Sequence, residues 1–395
     1  MNYIKSFDGL RAWAIILVML FHFHLYNFGQ AGVAFGWLGV QLFFVLSGFL
    51  ITRILLKDKQ QSFSFYMKRF YWRRSLRIFP LYFAYLLAIA ALFLVTGKPE
   101  GFSEKAGYLF SYTYNYSLLS PNWSHHAFFT HLWSLSVEEQ FYIVWPPLIY
   151  FLSTKWLKRV IIAVIALGPV ARLLAGHWLL GSGIEEEVAG EAVYWLTSSH
   201  LDAFAIGGAI TVFNLQATKL TQGKYLLFSF LAVMIMGGFS LWSLESPEIS
   251  SLGYPVGNMQ LYAHVWSYTL LNIFFALTLL YVLASKKSMP LLSNKFAIAI
   301  GRVSYGMYLF HWAILEGFSI LIRKYIEIDT FAFSALVFAV YLLLVYLVSE
   351  ISFRSFEIFF INMKDKQFKK EPAISTEKTS ANHKRPLNTR IIAEK

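Results

Sequence analysis

Ten apolar stretches recur along the chain, at roughly 9–28, 34–53, 78–97, 132–152, 160–178, 199–214, 225–244, 263–284, 303–322 and 332–356. A hydrocarbon layer about 30 Å thick takes about 20 such residues per helical crossing, and backbone facing lipid must find its hydrogen bonds within its own helix. The pattern therefore predicts an all-α, polytopic integral membrane bundle of about ten transmembrane helices. The sixth stretch is the shortest and carries Gly207 and Gly208. Composition points the same way, with 57% aliphatic and aromatic residues against 14% charged ones, a balance unusual for soluble domains.

Charge fixes the expected orientation. With the N-terminus in the cytoplasm, all but five of the basic side chains (Lys98, Lys105, Arg172, Arg323 and Lys324) belong to inside segments or the helix turns flanking them. Such a bias places both termini inside. The net charge of +12 is thus a topology signal, and nucleic acid is not an expected partner. The absence of cysteine excludes thiol chemistry and disulfides. The first stretch carries Arg11 and His22 with no small-residue cleavage site after it, so it is expected to remain as a span. Residues 1–361 form the expected membrane domain. Residues 362–395 have the composition of a disordered, basic cytoplasmic tail.

Ionisable residues inside lipid-length helices are costly and are functional candidates by default. Arg11 and His22, eleven positions apart, return to nearly the same helix face about 16 Å apart along the axis. In the fourth stretch, Ser136, Glu138 and Glu139 lie a few turns below the outer surface, where two adjacent carboxylates cannot both face lipid. Both a polar cavity and a buried ion pair joining two helices are open to them. In the second stretch, Ser47-Gly48 is a small pair at mid-depth, open to close helix packing or to a cavity-lining or nucleophilic Ser47. Ser304, Tyr308 and His311 share one stripe of the ninth stretch beside Tyr305, and His200 and Asp202 open the sixth. Glu350 and Glu357 complete the polar residues of the spans. His24, His125, His126 and His131 are expected at the interface.

The cytoplasmic loop expected between the second and third stretches is the richest in charge, with Lys68, Arg69, Arg73, Arg74 and Arg77 interleaved with Tyr71 and Trp72. Guanidinium groups bind phosphate bidentately and stack on planar rings. The same residues also suit a positive-inside anchor with an aromatic belt. A histidine aligned with an arginine, a carboxylate on another helix and an arginine cluster describe a general base beside an anionic donor. No metal site is expected, because His22 and His24 diverge on a helix and no zinc motif occurs. No nucleophile elbow of the serine-hydrolase type occurs either. Acyl transfer from a phosphate-bearing carrier remains. A transporter or flippase of an anionic lipid-linked intermediate is the alternative, although no internal repeat is visible.

Five segments in order carry a resemblance: Phe7-Asp8-Gly9-Leu10-Arg11-Ala12 followed by His22; Gly39 through Ile51; Arg73-Arg74 with Arg77-Ile78-Phe79-Pro80; Leu132 through Tyr142; and Ser304 through His311. In this combination the chain resembles acyltransferase family 3, membrane O-acyltransferases of O-antigen, exopolysaccharide and some small molecules, over approximately residues 3 to 360. The resemblance implies acyl-CoA, most often acetyl-CoA, as donor co-substrate, and membrane lipid and a carbohydrate or lipid-linked glycan as partners. It implies a multi-pass protein of the bacterial inner membrane. The family's Arg and His separated by ten residues map onto Arg11 and His22, its paired loop arginines onto Arg74 and Arg77 with Arg73 beside them, and its Ser and Glu onto Ser136 and Glu139. Of the two adjacent glutamates, Glu138 is favoured as catalytic. On this likeness His22, Glu138 and Arg11 are catalytic, Arg73, Arg74 and Arg77 hold the donor, and Ser47, Ser136, Glu139, Asp202, Ser304, Tyr305, Tyr308 and His311 are substrate-binding. Gln41 stands where relatives often place an acid, and Glu357 lacks the basic residue and proline of the family's ending. Many relatives append an esterase-like domain. The expectation here is that the membrane domain completes the transfer or hands its product to a separate protein. Tyr108, Tyr112, Tyr114, Tyr116 and Trp123 in the outside loops are candidates for stacking on sugar rings or for an interfacial belt.

Overall fold

The computed structural model of the chain describes residues 4–28, 31–97, 100–119, 125–244, 248–285, 289–325, 328, 330–364 and 368. Trp123 and all of the expected tail except residues 362–364 and 368 lie outside the described residues. In chain order the helices are α1 (Lys5–Leu25), α2 (Leu38–Asp58), α3 (Phe63–Val95), α4 (Glu100–Phe110), α5 (Trp133–Phe151), α6 (Thr154–Gly181), α7 (Glu186–Trp195), α8 (Leu201–Val212), α9 (Gly223–Ser243), α10 (Ala263–Ala284), α11 (Pro290–Ser293), α12 (Lys295–Arg302), α13 (Ser304–Tyr325), α14 (Phe331–Ser352) and α15 (Ile358–Met363). No strand occurs among the described residues.

Each of the ten apolar stretches coincides with a helix, but among the described residues only eight segments are long and apolar enough to cross a membrane by themselves. The other two are α5 and α8. In α5 the Glu138-Glu139-Gln140 run dilutes the hydropathy, and α8 has only 12 residues. Both are held by their neighbours. α8 lies against α2, with Gly48 over the Phe204 carbonyl and Gly207 over the Val45 carbonyl, so that a Cβ at either glycine would stand 2.1 Å from that oxygen. The packing role open to the Ser47-Gly48 pair thus belongs to Gly48. Gly207→Val, which needs the two backbones to part, is expected to cost at least the 1–3 kcal/mol typical of overpacking. The check is loss of monodisperse protein after detergent extraction.

The basic segment before the third stretch is not a loop. Ser62 caps the start of α3, accepting from the Phe65 N–H at 3.4 Å, and no glycine or proline interrupts the chain until Pro80. α3 therefore runs for 33 residues, about 50 Å, and its basic half stands as a rigid extension. A second proline feature anchors it. Pro146 and Pro147 inside α5 cannot donate to the carbonyls four residues earlier. Tyr71 of α3 compensates with one shared O–H, its hydroxyl 3.2 Å from the Tyr142 carbonyl and 3.2 Å from that of Ile143. This junction sets the arginines of α3 against the acidic turn of α5.

Candidate active site

A cavity of about 230 Å³ opens between α1, α2, α3, α5 and α13. It takes in Arg11, Ser47, Arg74, Arg77, Glu138, Ser304, Tyr305 and Tyr308 from those helices, along a wall of Ile and Leu from α2. Toward the basic end of α3 lies a hollow of about 440 Å³, edged by Arg69, Arg73, Asp58 and Lys364. Ile51, Ile54, Arg74 and Arg77 border both spaces, so the arginine-rich hollow continues into the cavity. Together the two volumes fall within the ~300–1,000 Å³ of small-molecule sites.

Inside the cavity one carboxylate gathers three helices. Glu138 Oε1 accepts from Ser47 Oγ and, at 2.8 Å, from the Tyr142 hydroxyl. Arg74 donates to that same hydroxyl and lies over the Tyr142 ring, 4.1 Å from its centroid. Tyr142 is not among the residues singled out from the sequence, and its position four residues after Glu138, on the same helix face, is the signal that finds it. Glu139 does not border the cavity, and its Oε1 is buried without a hydrogen-bond partner among the described residues. Ser136 is buried as well, its hydroxyl turned back to the Leu132 carbonyl at 3.3 Å. Arg11 reaches the cavity while pairing with Asp8 at 2.9 Å. Tyr305 donates to the Ile78 carbonyl at 2.9 Å, and the Tyr308 hydroxyl donates to the His131 carbonyl at 2.8 Å and meets Ser134.

His22 is not in this cavity. It meets a second histidine and not the carboxylate of α5: His22 Nδ1 lies 2.9 Å from His311 Nε2, and the His22 ring packs on Trp312 with centroids 4.1 Å apart. The reason is axial distance. Arg11 and His22 share a face of α1, but about 16 Å separates them, and the cavity that takes in Arg11 is lined by Ser134 and Tyr308 and not by His22. The histidine pair lies one turn of α13 beyond Tyr308, whose ring centroid is 5.5 Å from that of His311. His311 Nδ1 lies 2.6 Å from the Tyr308 carbonyl. With both rings neutral, that nitrogen donates, so His311 Nε2 accepts and His22 Nδ1 carries the proton. The bonding pattern assigns the lone pair of His22 to Nε2. His131, expected at the interface, is buried beside this pair, with its ring 5.0 Å from that of His311.

Asp202 is placed away from both spaces. It is fully buried and paired with Arg172 at 3.0 Å, with Thr269 donating to the same carboxylate. Arg172 also donates to the Ser199 carbonyl at 2.7 Å and the Val265 carbonyl at 2.9 Å. This is a closed structural ion pair that ties α6, α8 and α10. Breaking such a pair from one side costs about 3–5 kcal/mol, so Asp202→Ala is expected to lose folded protein, whereas a substrate contact would lose activity from a well-folded chain. Thermal stability of the extracted variant distinguishes the two. Gln41 bonds His200 at 3.1 Å and belongs to the same neighbourhood. Glu350 pairs with Arg302 and Arg354, both at 2.6 Å. Glu357 is buried at the end of a π-helical turn, Phe353–Glu357, accepting from Ser352 at 3.2 Å. Of the loop aromatics, Tyr112 and Tyr114 are core residues, Tyr112 stacking on Tyr82 with centroids 4.4 Å apart, while Tyr108 and Tyr116 are exposed.

The described residues form a helical bundle whose long apolar helices suit a multi-pass membrane protein, with a cavity joining an arginine-lined hollow to the half-buried Glu138 carboxylate. The family model described as an acyltransferase domain matches residues 4–350, and the chain belongs to this family, acyltransferase family 3. It is 26% identical over 373 residues to the O-acetyltransferase OatA of Staphylococcus aureus (strain NCTC 8325 / PS 47), covering 90% of this chain and 57% of that protein. It is 37% identical over 191 residues to the peptidoglycan O-acetyltransferase OatA of Listeria monocytogenes serovar 1/2a, covering 45% of this chain and 29% of that protein. The match thus spans little more than half the length of the Staphylococcus aureus relative and less than a third of the Listeria monocytogenes one. No solved structure matches it.

Proposed function

We propose that this protein is an O-acyltransferase of the bacterial cell membrane that moves an acyl group, acetyl in the first instance, from acyl-CoA to a hydroxyl of an envelope glycan. The observation that carries this reading is the continuity of the two spaces. Arg69, Arg73 and Lys364 surround the wider one, Arg74 and Arg77 stand at the throat, and Ser47 and Glu138 lie inside the narrower one. Phosphates belong among the guanidinium groups, and an uncharged thioester arm fits along the Ile51 and Ile54 wall. The charge bias of the chain puts the arginine-rich end in the cytoplasm, where acyl-CoA is available.

Beyond the Ser134–Tyr308 contact, the hydrogen-bond chain from the Tyr308 carbonyl through His311 leaves His22 Nε2 as a general base for the acceptor hydroxyl. Arg11, inside the cavity, is placed to stabilise the oxygen anion that develops at the acyl carbon. The acceptor class follows from the two relatives' names, one an O-acetyltransferase and the other acting on peptidoglycan. Purified chain in lipid, given acetyl-CoA and a glycan acceptor, is expected to release CoA only when both are present. A transporter of an anionic intermediate would release none.

A further inference from the structure

We propose that Ser47 carries the acyl group as a covalent ester during turnover, with Glu138 as its base. This inference rests on the acyltransferase reading above and adds an intermediate to it. Its first support is the arrangement of the groups. Ser47 Oγ donates to Glu138 Oε1, so the hydroxyl proton already points at a carboxylate. The base is itself oriented by a third group, the Tyr142 hydroxyl at 2.8 Å, which Arg74 holds from the other side. A nucleophile, a base in hydrogen-bond reach and an orienting donor are the parts that activated hydroxyl nucleophiles need. Both Ser47 and Glu138 border the cavity, as do Arg11 and Arg77, which supply positive charge around any oxyanion formed there.

The second support is the position of His22. A donor lodged among the α3 arginines presents its thioester to the part of the cavity holding Ser47, while His22 lies beyond the Ser134–Tyr308 contact. A side chain that takes the acyl group there lets CoA leave before the acceptor enters from the histidine side, so that donor and acceptor need not be held together. Packing does not account for Ser47, because the close approach of α2 to α8 is made by its neighbour Gly48.

The chemistry closes in two steps. In the first, Glu138 takes the proton from Ser47 Oγ, the oxygen forms a bond to the thioester carbonyl carbon, the carbon–sulfur bond breaks, and CoA leaves as the thiolate toward the arginines. In the second, the acceptor hydroxyl gives its proton to His22 and bonds to the acyl carbon. The Ser47 ester bond then breaks, and Glu138 returns its proton to Ser47 Oγ. His22 releases its proton to solvent, and the thiolate takes one up.

The test is isotope exchange between acetyl-CoA and labelled free CoA by the full chain in lipid, with no acceptor present. The wild-type chain is expected to exchange label and, after acid quench, to carry one acyl group on the peptide containing Ser47. Ser47→Ala is expected to reduce exchange to background, Glu138→Gln to slow it by about 10²–10⁴-fold, and Ser47→Cys to restore acylation as a thioester. Acceptor-dependent CoA release by a wild-type chain that shows no exchange, or an acyl group mapped to another residue, would overturn the intermediate and leave the acyltransferase reading standing. No CoA release even with acceptor would instead remove the reading on which it rests. Because exchange and adduct are read on the wild-type chain, a variant that fails to fold does not blunt the test.

Discussion

Replacing His22 by Ala is expected to lower acyl transfer to the acceptor by about 10²–10⁴-fold, the range that positioned general bases contribute, with extraction yield and thermal stability close to wild type. The reason is the direction of the hydrogen bonds at the pair. The Tyr308 carbonyl fixes His311 as donor at Nδ1, His311 Nε2 accepts from His22 Nδ1, and the proton-accepting position of His22 is left at Nε2. When His22 takes the acceptor's proton, His311 is in place to hold the resulting cation by the bond already formed. His311→Gln, whose amide oxygen can also accept from His22 Nδ1, is expected to keep more activity than His311→Ala. Steady-state transfer to a soluble glycan fragment checks all three. On the two-step scheme, His22→Ala also leaves CoA exchange in the absence of acceptor near the wild-type rate, because the histidine acts only after the acyl group has left the donor. Wild-type transfer by His22→Ala would remove the histidine from the chemistry.

The second large effect is expected at the throat. Arg77→Ala removes a cation that borders both spaces, and a hydrogen bond to a charged group contributes about 1.5–3 kcal/mol. The expected result is a rise of roughly 10–150-fold in the acyl-CoA concentration needed for half-maximal rate, with the maximal rate much less changed. Arg74→Ala behaves differently. Its guanidinium both borders the donor space and covers Tyr142, the residue that orients Glu138, so its loss is expected to raise the donor requirement and lower the maximal rate together. Initial rates over a range of acyl-CoA concentrations separate the two patterns. Identical effects at the two positions would mean that Arg74 does not act through Tyr142.

Much of this arrangement was legible from the sequence because helical spacing is local. The ten apolar stretches all appear as helices, and Arg11, Ser47, Arg74, Arg77, Glu138, Ser304, Tyr305 and Tyr308, each singled out by residue type or spacing, border one cavity. What was hidden is what depends on which helix neighbours which. Spacing puts Arg11 and His22 on one face, but the depth of the cavity between other helices decides that only Arg11 lines it. His311 as the partner of His22 requires α1 and α13 to be adjacent, a contact across most of the chain. Asp202 reads as an unpartnered acid at a helix start until Arg172, 30 positions earlier, is seen turned toward it. The basic segment read as a loop because charge broke the apolar run, although nothing in residues 63–79 breaks a helix. Tyr71 could not be read as a cap for α5, because the carbonyls it satisfies are exposed by two prolines in a different helix.

The central claim is that an acyl donor enters among the arginines of α3 and presents its reacting carbon at Ser47 and Glu138. It is tested most directly by solving the structure of the full chain in lipid with a non-transferable thioether analogue of acetyl-CoA. The account predicts phosphate density among Arg73, Arg74 and Arg77, and the carbon next to sulfur within about 3–3.5 Å of Ser47 Oγ, the range of reacting atoms poised for attack. An analogue bound on the histidine side of Tyr308, or at saturation anywhere outside these two joined spaces, would contradict it.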